Sequence, residues 1–378
     1  MTKSPDLEIF LSTAPGLEAV LAEEAKEKRL RDAKPVPGGV TCKGGWPAVW
    51  RANLELRGAS RVLVRIGKFR AAHLSELDKR ARTIAWNEVL RPGVPFRVEA
   101  TCRRSRIYHS GAAAERIERA IGERLGAPHA PDAEVSIMVR IECDLCTLSV
   151  DTSGELLHKR GFKEAVGKAP MRESMAALFL RQCGYDGGEP VLDPMCGSGT
   201  FVIEAAEIAA GLRPGRARRF AFEKLASFDE AAWLEMQGAG GRARTGFRFY
   251  GSDRDAGAIR LSRANALRAG VAGLTHFSEL SIRDLVAPEG PPGLVIVNPP
   301  YGGRIGDKTR LKTLYRTLGA TLLARFSGWR VGIVTSEAAL AHATGLPLKP
   351  AGPPVAHGGL RVTLFQTGPL TSQAPPRP

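Results

Sequence analysis

Asn298-Pro299-Pro300-Tyr301 is the stretch best equipped for chemistry. It follows an apolar run, Leu294-Val295-Ile296-Val297, that reads as a buried parallel strand. Two prolines then end the strand, because neither has an N–H to give to a sheet ladder. The product is a rigid corner at the carboxyl end of a strand. It bears one amide side chain, two fixed carbonyls and one aromatic ring. An amide oxygen and a nearby carbonyl can each accept a hydrogen bond from a planar NH2 group. A tyrosine can stack on the ring that carries that group. Such a corner suits the holding of an exocyclic amine while a reaction takes place at its lone pair. Taken alone, the tetrapeptide fits an ordinary Pro-rich turn equally well.

Three more strand ends carry polar residues. Leu192-Asp193-Pro194-Met195-Cys196-Gly197-Ser198-Gly199-Thr200 joins the strand candidate Pro190–Asp193 to a helix beginning near Phe201. Gly197 and Gly199 let the backbone turn tightly and approach a ligand closely. The G-x-G pair gains meaning from its place between a strand and a helix. It is not a dinucleotide G-x-G-x-x-G, since Val202 stands three residues after Gly199, and it has no Gly-Lys-Ser/Thr. Nicotinamide and ATP sites are thereby disfavoured. Gly251-Ser252-Asp253-Arg254-Asp255 follows the next strand, and Asp253 there suits both hydroxyls of a ribose. Ile282-Arg283-Asp284-Leu285 follows a third, where Asp284 suits an adenine amino group. Asn298 ends the fourth. Each acid by itself reads at least as well as a helix N-cap. The ordered set does not, because ligands bind along this edge of an open α/β sheet.

The elements that must position these residues fall in the last of three pieces, from about 165 to 368. Strand candidates at 190–193, 247–251, 275–280, 294–297 and 330–335 alternate with helices, which implies βαβ units and a mostly parallel sheet. A Pro/Gly-rich loop follows at 347–359, then one more strand at 360–367. The tail from Ser372 to Pro378 reads as disordered. The first piece, to about residue 42, is a small α+β opening with a strand at 7–11, a helix at 17–30, a Pro/Gly break at 34–39 and a strand start at 40–42. The second, about 43–160, has strands at 61–66, 95–101, 133–141 and 145–151, and helices at 74–86 and 112–125.

The chain has 378 residues, 43% hydrophobic, enough for more than one core, and a formal charge of +15. That excess suggests a polyanionic partner, nucleic acid before membrane. From Lys43 to Arg106 there are 15 Lys or Arg against 5 Asp or Glu. Arg103, Arg104 and Arg106 sit between a strand and a helix, beside Tyr108 and His109, where they can grip phosphates. Arg213-Pro214-Gly215-Arg216-Ala217-Arg218-Arg219 reads either as a further RNA contact or as a solvated insert. No apolar run approaches the length of a membrane span, and the N-terminus lacks a signal-peptide layout, so a cytoplasmic location is expected. Cys143-Asp144-Leu145-Cys146 has C-x-x-C spacing with no second pair. It lies in a stretch, 141–150, readable as one strand, so structural cysteines and no metal are expected.

The ordered strand ends resemble those of the class I S-adenosylmethionine (SAM)-dependent methyltransferases. N-P-P-Y resembles the branch that methylates adenine N6, cytosine N4, guanine N2 or a glutamine amide. The resemblance extends further. Asp193–Thr200 with Ile203-Glu204-Ala205-Ala206 is similar to the THUMP-containing RNA guanine-N2 methyltransferases. Asp151-Thr152-Ser153-Gly154-Glu155-Leu156-Leu157-His158-Lys159-Arg160-Gly161-Phe162 matches their domain junction. Ala169-Pro170-Met171-Arg172-Glu173-Ser174-Met175-Ala176-Ala177 matches the helix they place beside cofactor and target. Phe228-Asp229-Glu230 with Trp233, Phe249–Asp253 and Ala14-Pro15-Gly16-Leu17-Glu18 fit as well.

This resemblance implies an α/β fold, with a C-terminal Rossmann-like class I methyltransferase sheet preceded by an α+β ferredoxin-like/THUMP RNA-binding region. It divides the chain into a ferredoxin-like part at 1–42, a THUMP domain at 43–155, a methyltransferase domain at 156–368 and a disordered tail at 369–378. It implies SAM as cofactor, bound by Pro170, Asp193, Pro194, Met195, Cys196, Gly197, Ser198, Gly199, Thr200, Asp253, Asp284 and Asn298. Asn298, Pro299, Pro300 and Tyr301 would be catalytic, and Arg103, Arg104, Arg106 and Arg160 would bind RNA. The nearest branch methylates guanine N2 in 23S ribosomal RNA, with a pre-50S particle or tRNA as alternative partner. Some members carry a second domain that makes 7-methylguanine, and this chain shows only one, so no guanine-N7 activity is expected. A protein glutamine methyltransferase, which shares N-P-P-Y, would need neither a THUMP-like module nor this charge, and a DNA amino-methyltransferase is a second rival. An assembly factor with an idle site would need no intact set of strand ends.

Overall fold

The computed structural model describes residues 6–162, 171–239, 245–302 and 308–371. Pro170 and the stretch from Ser372 onward lie outside them. The chain forms two compact units, one of Met1–Thr13, Leu21–Leu157 and Gly215–Gly240, the other of Ala14–Val20, His158–Pro214 and Gly241–Pro378.

The first unit is built on one sheet. Its elements are β1 (Leu7–Ser12), α1 (Glu18–Glu27), β2 (Arg31–Val36), β3 (Gly39–Gly44), α2 (Trp46–Glu55), β4 (Arg61–Arg70), α3 (Leu74–Ala81), β5 (Phe96–Arg103), α4 (Ser110–Leu125), β6 (Val135–Glu142) and β7 (Leu145–Asp151). The strands run β2-β3-β1-β4-β7-β6-β5. The break expected at 34–39 is instead a hairpin, with Pro35 opposite Val40 and Val36 opposite Gly39. Pro35 is tolerated because β2 is an edge strand. Helix α2 escapes the sequence reading because Gly44-Gly45 and Pro47 look like breakers, whereas Pro47 lies in the first turn, where no N–H is needed. The run 141–150 is not one strand either. Cys143 and Asp144 turn it back with φ of 51° and 61°, the left-handed pair that a two-residue hairpin requires.

The second unit contains α5 (Glu173–Gln182), β8 (Val191–Asp193), α6 (Thr200–Ala209), β9 (Phe249–Asp253), α8 (Ala256–Arg268), β10 (Thr275–Glu279), β11 (Leu294–Val297), α9 (Lys308–Arg325), β12 (Arg330–Thr335), α10 (Ala338–Ala343), β13 (Lys349–Pro350), β14 (Val355–His357) and β15 (Leu360–Gln366); α7 (Glu230–Gly238) packs with the first unit. The strand order is β10-β9-β8-β11-β12-β15-β13, with β14 paired to β15 alone. The five strands β8 to β12 are parallel, and β15 runs against β12. Every residue of β11 is buried, as its unbroken apolar run requires. Strand order reverses between β8 and β11, which is where an open parallel sheet leaves a crevice at its carboxyl edge. Leu370 lies in the tail expected to be disordered from 369, yet it is buried, its N–H donates to Trp329 O and its carbonyl accepts from Gly328 N–H.

Residues 215–240 lie between α6 and β9 in sequence but pack with the first unit. An aromatic cluster holds them there. Phe222 stacks on Phe220 at 5.2 Å and meets Trp233 edge-on at 4.9 Å, with Trp50 6.0 Å away. Arg218, in the loop weighed as an RNA contact, is instead part of this packing. Its guanidinium donates to the carbonyls of Leu156 at 2.9 Å and Glu155 at 2.6 Å and lies 5.2 Å from the Phe220 ring.

Candidate active site

Three of the four expected strand-end groups converge at the carboxyl edge of the parallel sheet. Asp193 ends β8, is 3% exposed, and accepts a hydrogen bond from Met195 N–H at 3.0 Å. Burial pushes its carboxyl up to about 8, partly offset by that N–H and reinforced by the charge of Asp253. The loop beyond it turns on Gly197 and Gly199, whose φ values of 53° and 82° are left-handed. A β-carbon at Gly199 would stand 3.2 Å from both Phe277 and Ile203, and one at Gly251 would strike Phe277 at 2.5 Å. Both glycines are therefore required where two strands and the loop meet.

Helix α8 braces this loop from beneath. Ser262 Oγ donates to Gly197 O at 2.7 Å, and Asn265 Nδ2 donates to Ser198 O at 3.1 Å. The sequence reading missed both residues. The available signal was two polar residues three apart on a helix, sharing one face. Gly197 N–H in turn donates to Asp253 Oδ2 at 3.1 Å, while Asp255 N–H donates to Oδ1 at 3.0 Å. Cys196 is buried, its thiol pushed up by burial, and its N–H binds Ser252 O at 2.9 Å. It is a packing residue of the loop.

A pocket of about 440 Å³ opens beside these residues, within the span of small-molecule sites, roughly 300–1,000 Å³. Pro194, Met195, Asp253 and Arg254 form one wall, and Leu280 to Arg283 a second. Asn298 and Pro300 form a third. Helix α9 closes it with Arg310, Thr313, Leu314 and Thr317, which share one face at helical spacing. Asn298 Oδ1 is buried there and has no hydrogen-bond partner among the described residues. A buried acceptor without a donor costs free energy, so its retention points to a ligand that supplies one.

Other expected residues fall elsewhere. Asp284 is exposed and outside the pocket lining; its place near the rim is taken by Leu280, Ser281 and Ile282. Tyr301 is 3% exposed and packed inward, beside the pocket wall and not on its surface. Pro299 is buried and Pro300 half-buried. Arg160, expected on RNA, is 1% exposed and pairs with Glu204 of α6 at 3.5 Å. A guanidinium enclosed in this way has no free face for a phosphate, so Arg160 is a structural residue of the second unit.

In the first unit, Arg103, Arg104 and Arg106 are exposed on the connection that leaves edge strand β5. Arg104 takes φ of 47°, and Arg106 N–H donates to Asp144 Oδ1 at 2.8 Å. Tyr108 beside them is also exposed, and His109 Nδ1 caps α4 by accepting from Ala112 N–H at 3.0 Å. Among the described residues there is no helix long and apolar enough to cross a membrane, and no group of three or more His, Cys, Asp or Glu placed to hold a metal.

Comparison with known proteins agrees with this architecture. Residues 8–63 match the RlmL ferredoxin-like domain, 71–151 the THUMP domain, and 160–348 the RMKL-like methyltransferase domain. Among solved structures, a Listeria monocytogenes protein described as a predicted N6-adenine-specific DNA methylase is 30% identical, with 97% of each chain covered and a TM-score of 0.87. A possible methylase from Clostridium difficile 630 is also 30% identical, covering 99% of this chain and 100% of its own, TM-score 0.87. The methyltransferase SMU.472, crystallised with S-adenosylhomocysteine (SAH), is 27% identical over 98% of this chain and all of its own, TM-score 0.87. The chain thus belongs to the RMKL-like methyltransferase family, SAM-dependent enzymes that here carry an RlmL ferredoxin-like domain and a THUMP domain ahead of the catalytic sheet.

Proposed function

We propose that this chain methylates the exocyclic N2 of a guanine in RNA, with 23S ribosomal RNA as the substrate. The observation that carries the chemistry is Asn298 Oδ1, a buried acceptor without a donor among the described residues, at the wall of the pocket. When bound, SAM supplies an electrophilic methyl group. Pro194, Met195 and Asp253 would hold it, with Asp253 offering its remaining lone pairs to ribose hydroxyls. An exocyclic amine is a poor nucleophile because its lone pair is delocalised into the ring. Asn298 Oδ1 and the Pro299 carbonyl would accept hydrogen bonds from its two N–H groups and favour a pyramidal nitrogen, turning the lone pair toward the methyl. Positioning is the main contribution, with no strong base needed beforehand. Tyr301, buried behind this wall, would brace it and not stack on the target base.

The THUMP domain and the exposed Arg103, Arg104 and Arg106 favour RNA as substrate, held through shape and phosphates. The choice of guanine over adenine rests on the family resemblance, since adenine N6 could make the same two hydrogen bonds. The test is nucleoside mass spectrometry on 23S rRNA and on tRNA, each taken from cells lacking this chain and incubated with purified protein and SAM. N2-methylguanosine in 23S rRNA is the expected product. The same nucleoside in tRNA alone would move the substrate, N6-methyladenosine would change the base, and no product in either would overturn the reading.

A further inference from the structure

The buried position of Asn298 Oδ1 sets a condition on the substrate. A guanine inside a helix keeps its N2 amine in a base pair and its ring in a stack, so it cannot reach a buried acceptor. The nucleotide must leave the stack, and something must compensate for the gap it leaves. We infer that Leu360 is the wedge that enters this gap, an inference that rests on the proposed RNA methylation.

The start of β15, Leu360 to Val362, runs beyond its pairing with β12 and forms a hairpin with β14, which pairs with β15 alone. Its turn is Gly358-Gly359, with φ of 56° and 82°, the left-handed pair of a tight hairpin. Two glycines leave the tip bare, and the first side chain past them is Leu360, 37% exposed. Leu360 Cδ1 lies 3.3 Å from where a β-carbon of Gly302 would stand, one residue beyond Asn298-Pro299-Pro300-Tyr301. The hairpin is also anchored. Val355 is buried, Arg361 Nη2 donates to Pro354 O at 3.2 Å, and the Gly16 turn packs against Pro354 and Val355. An apolar side chain on a fixed tip, next to the corner that receives the base, is the arrangement by which proteins part stacked bases.

The test uses full-length protein and two synthetic RNAs carrying the guanine found by the mass spectrometry above, one with it paired in a stem and one with it unpaired. Leu360→Ala is expected to lose about tenfold in kcat/KM on the paired RNA and less than about twofold on the unpaired one. SAM affinity should not change, and Leu360→Met should restore the paired substrate. Fluorescence of 2-aminopurine placed beside the target should rise on binding wild type and stay low with Leu360→Ala. Equal losses on both RNAs, or no loss on the paired one, would overturn the wedge while leaving guanine methylation standing. Wild-type protein that methylates neither RNA overturns the guanine reading and the wedge together.

Discussion

Gly197 donates its backbone N–H to Oδ2 of Asp253 at 3.1 Å, so the loop after β8 and the acid after β9 are joined directly. Each carboxylate oxygen of Asp253 accepts one backbone N–H and keeps further lone pairs open. Ser262 and Asn265 hold the carbonyls of the same loop from α8. The cofactor loop is thus tied on both its donor and its acceptor sides. Such preorganisation lowers the ordering cost of binding.

Asn265→Ala removes one of those ties. Asn265 is buried and its amide serves Ser198 O, so the loop loses a hydrogen bond worth roughly 0.5–1.5 kcal/mol. SAM should bind up to about tenfold more weakly by calorimetry. Transfer at saturating SAM should stay near wild type, because the loop is restored once filled. A fall in that saturated rate with unchanged affinity would assign Asn265 a different part.

Asn298→Ala should separate stability from activity. Asn298 Oδ1 has no partner among the described residues, so its removal breaks no internal hydrogen bond there and thermal stability should hold or rise. SAM affinity should stay within about twofold, while methyl transfer falls by roughly 10² or more, the cost of losing one aligned polar partner in an active site. Transfer at the normal rate would remove Asn298 from the mechanism.

Asp193 makes a pH prediction. Its ordinary value of 3.8 is pushed up to about 8 by burial in the folded protein. The native state therefore holds a proton that the unfolded chain releases. Stability of the SAM-free protein should fall as pH rises from near 4 to near 8, and level off above. Asp193→Asn should flatten that slope, raising Tm more at pH 8 than at pH 5. An equal gain at both would mean that the carboxyl is not the group responsible.

The strand ends were legible because their chemistry is local. Val295 and Ile296 mark a buried strand, two prolines stop it, and Asn298 must then stand at its edge. The supports were not legible, since nothing near Ser262 or Asn265 in sequence says which carbonyl each will meet about 65 residues away. Arg160 shows the opposite failure. Its neighbours suggest a surface junction, and only the tertiary fold reveals Glu204 beside it. Asp284 follows a strand just as Asp253 does, yet the short helical turn at Ile282–Asp284 points it to solvent. Arg218 read as a surface charge until the carbonyls of Glu155 and Leu156 closed around it.

Reversing Arg103, Arg104 and Arg106 to glutamate should weaken RNA binding and flatten its salt dependence. Three lost phosphate contacts reduce the slope of log K against log salt by about 2–3. The fold should survive, since all three side chains are exposed, although the Asp144 contact to Arg106 is lost. Filter binding across a salt series measures both. An unchanged slope would place the RNA surface elsewhere.

Arg160→Gln tests whether that residue serves RNA or the fold. Arg160 and Glu204 are each 1% exposed, 3.5 Å apart. Removing the guanidinium takes one cationic partner from a buried carboxylate, which typically costs about 3–5 kcal/mol. The expected outcome is a large drop in Tm, because burial and not surface charge sets the penalty. RNA affinity of the protein that remains folded, and its salt slope, should match wild type, since no phosphate can reach a side chain enclosed in this way. Arg160→Gln with Glu204→Gln together should recover part of the stability, because the buried carboxylate is neutralised as well, and should still leave the salt slope alone. A variant with normal Tm and weakened, less salt-sensitive RNA binding would return Arg160 to the nucleic-acid surface and would mean that this region of the second unit opens when RNA binds.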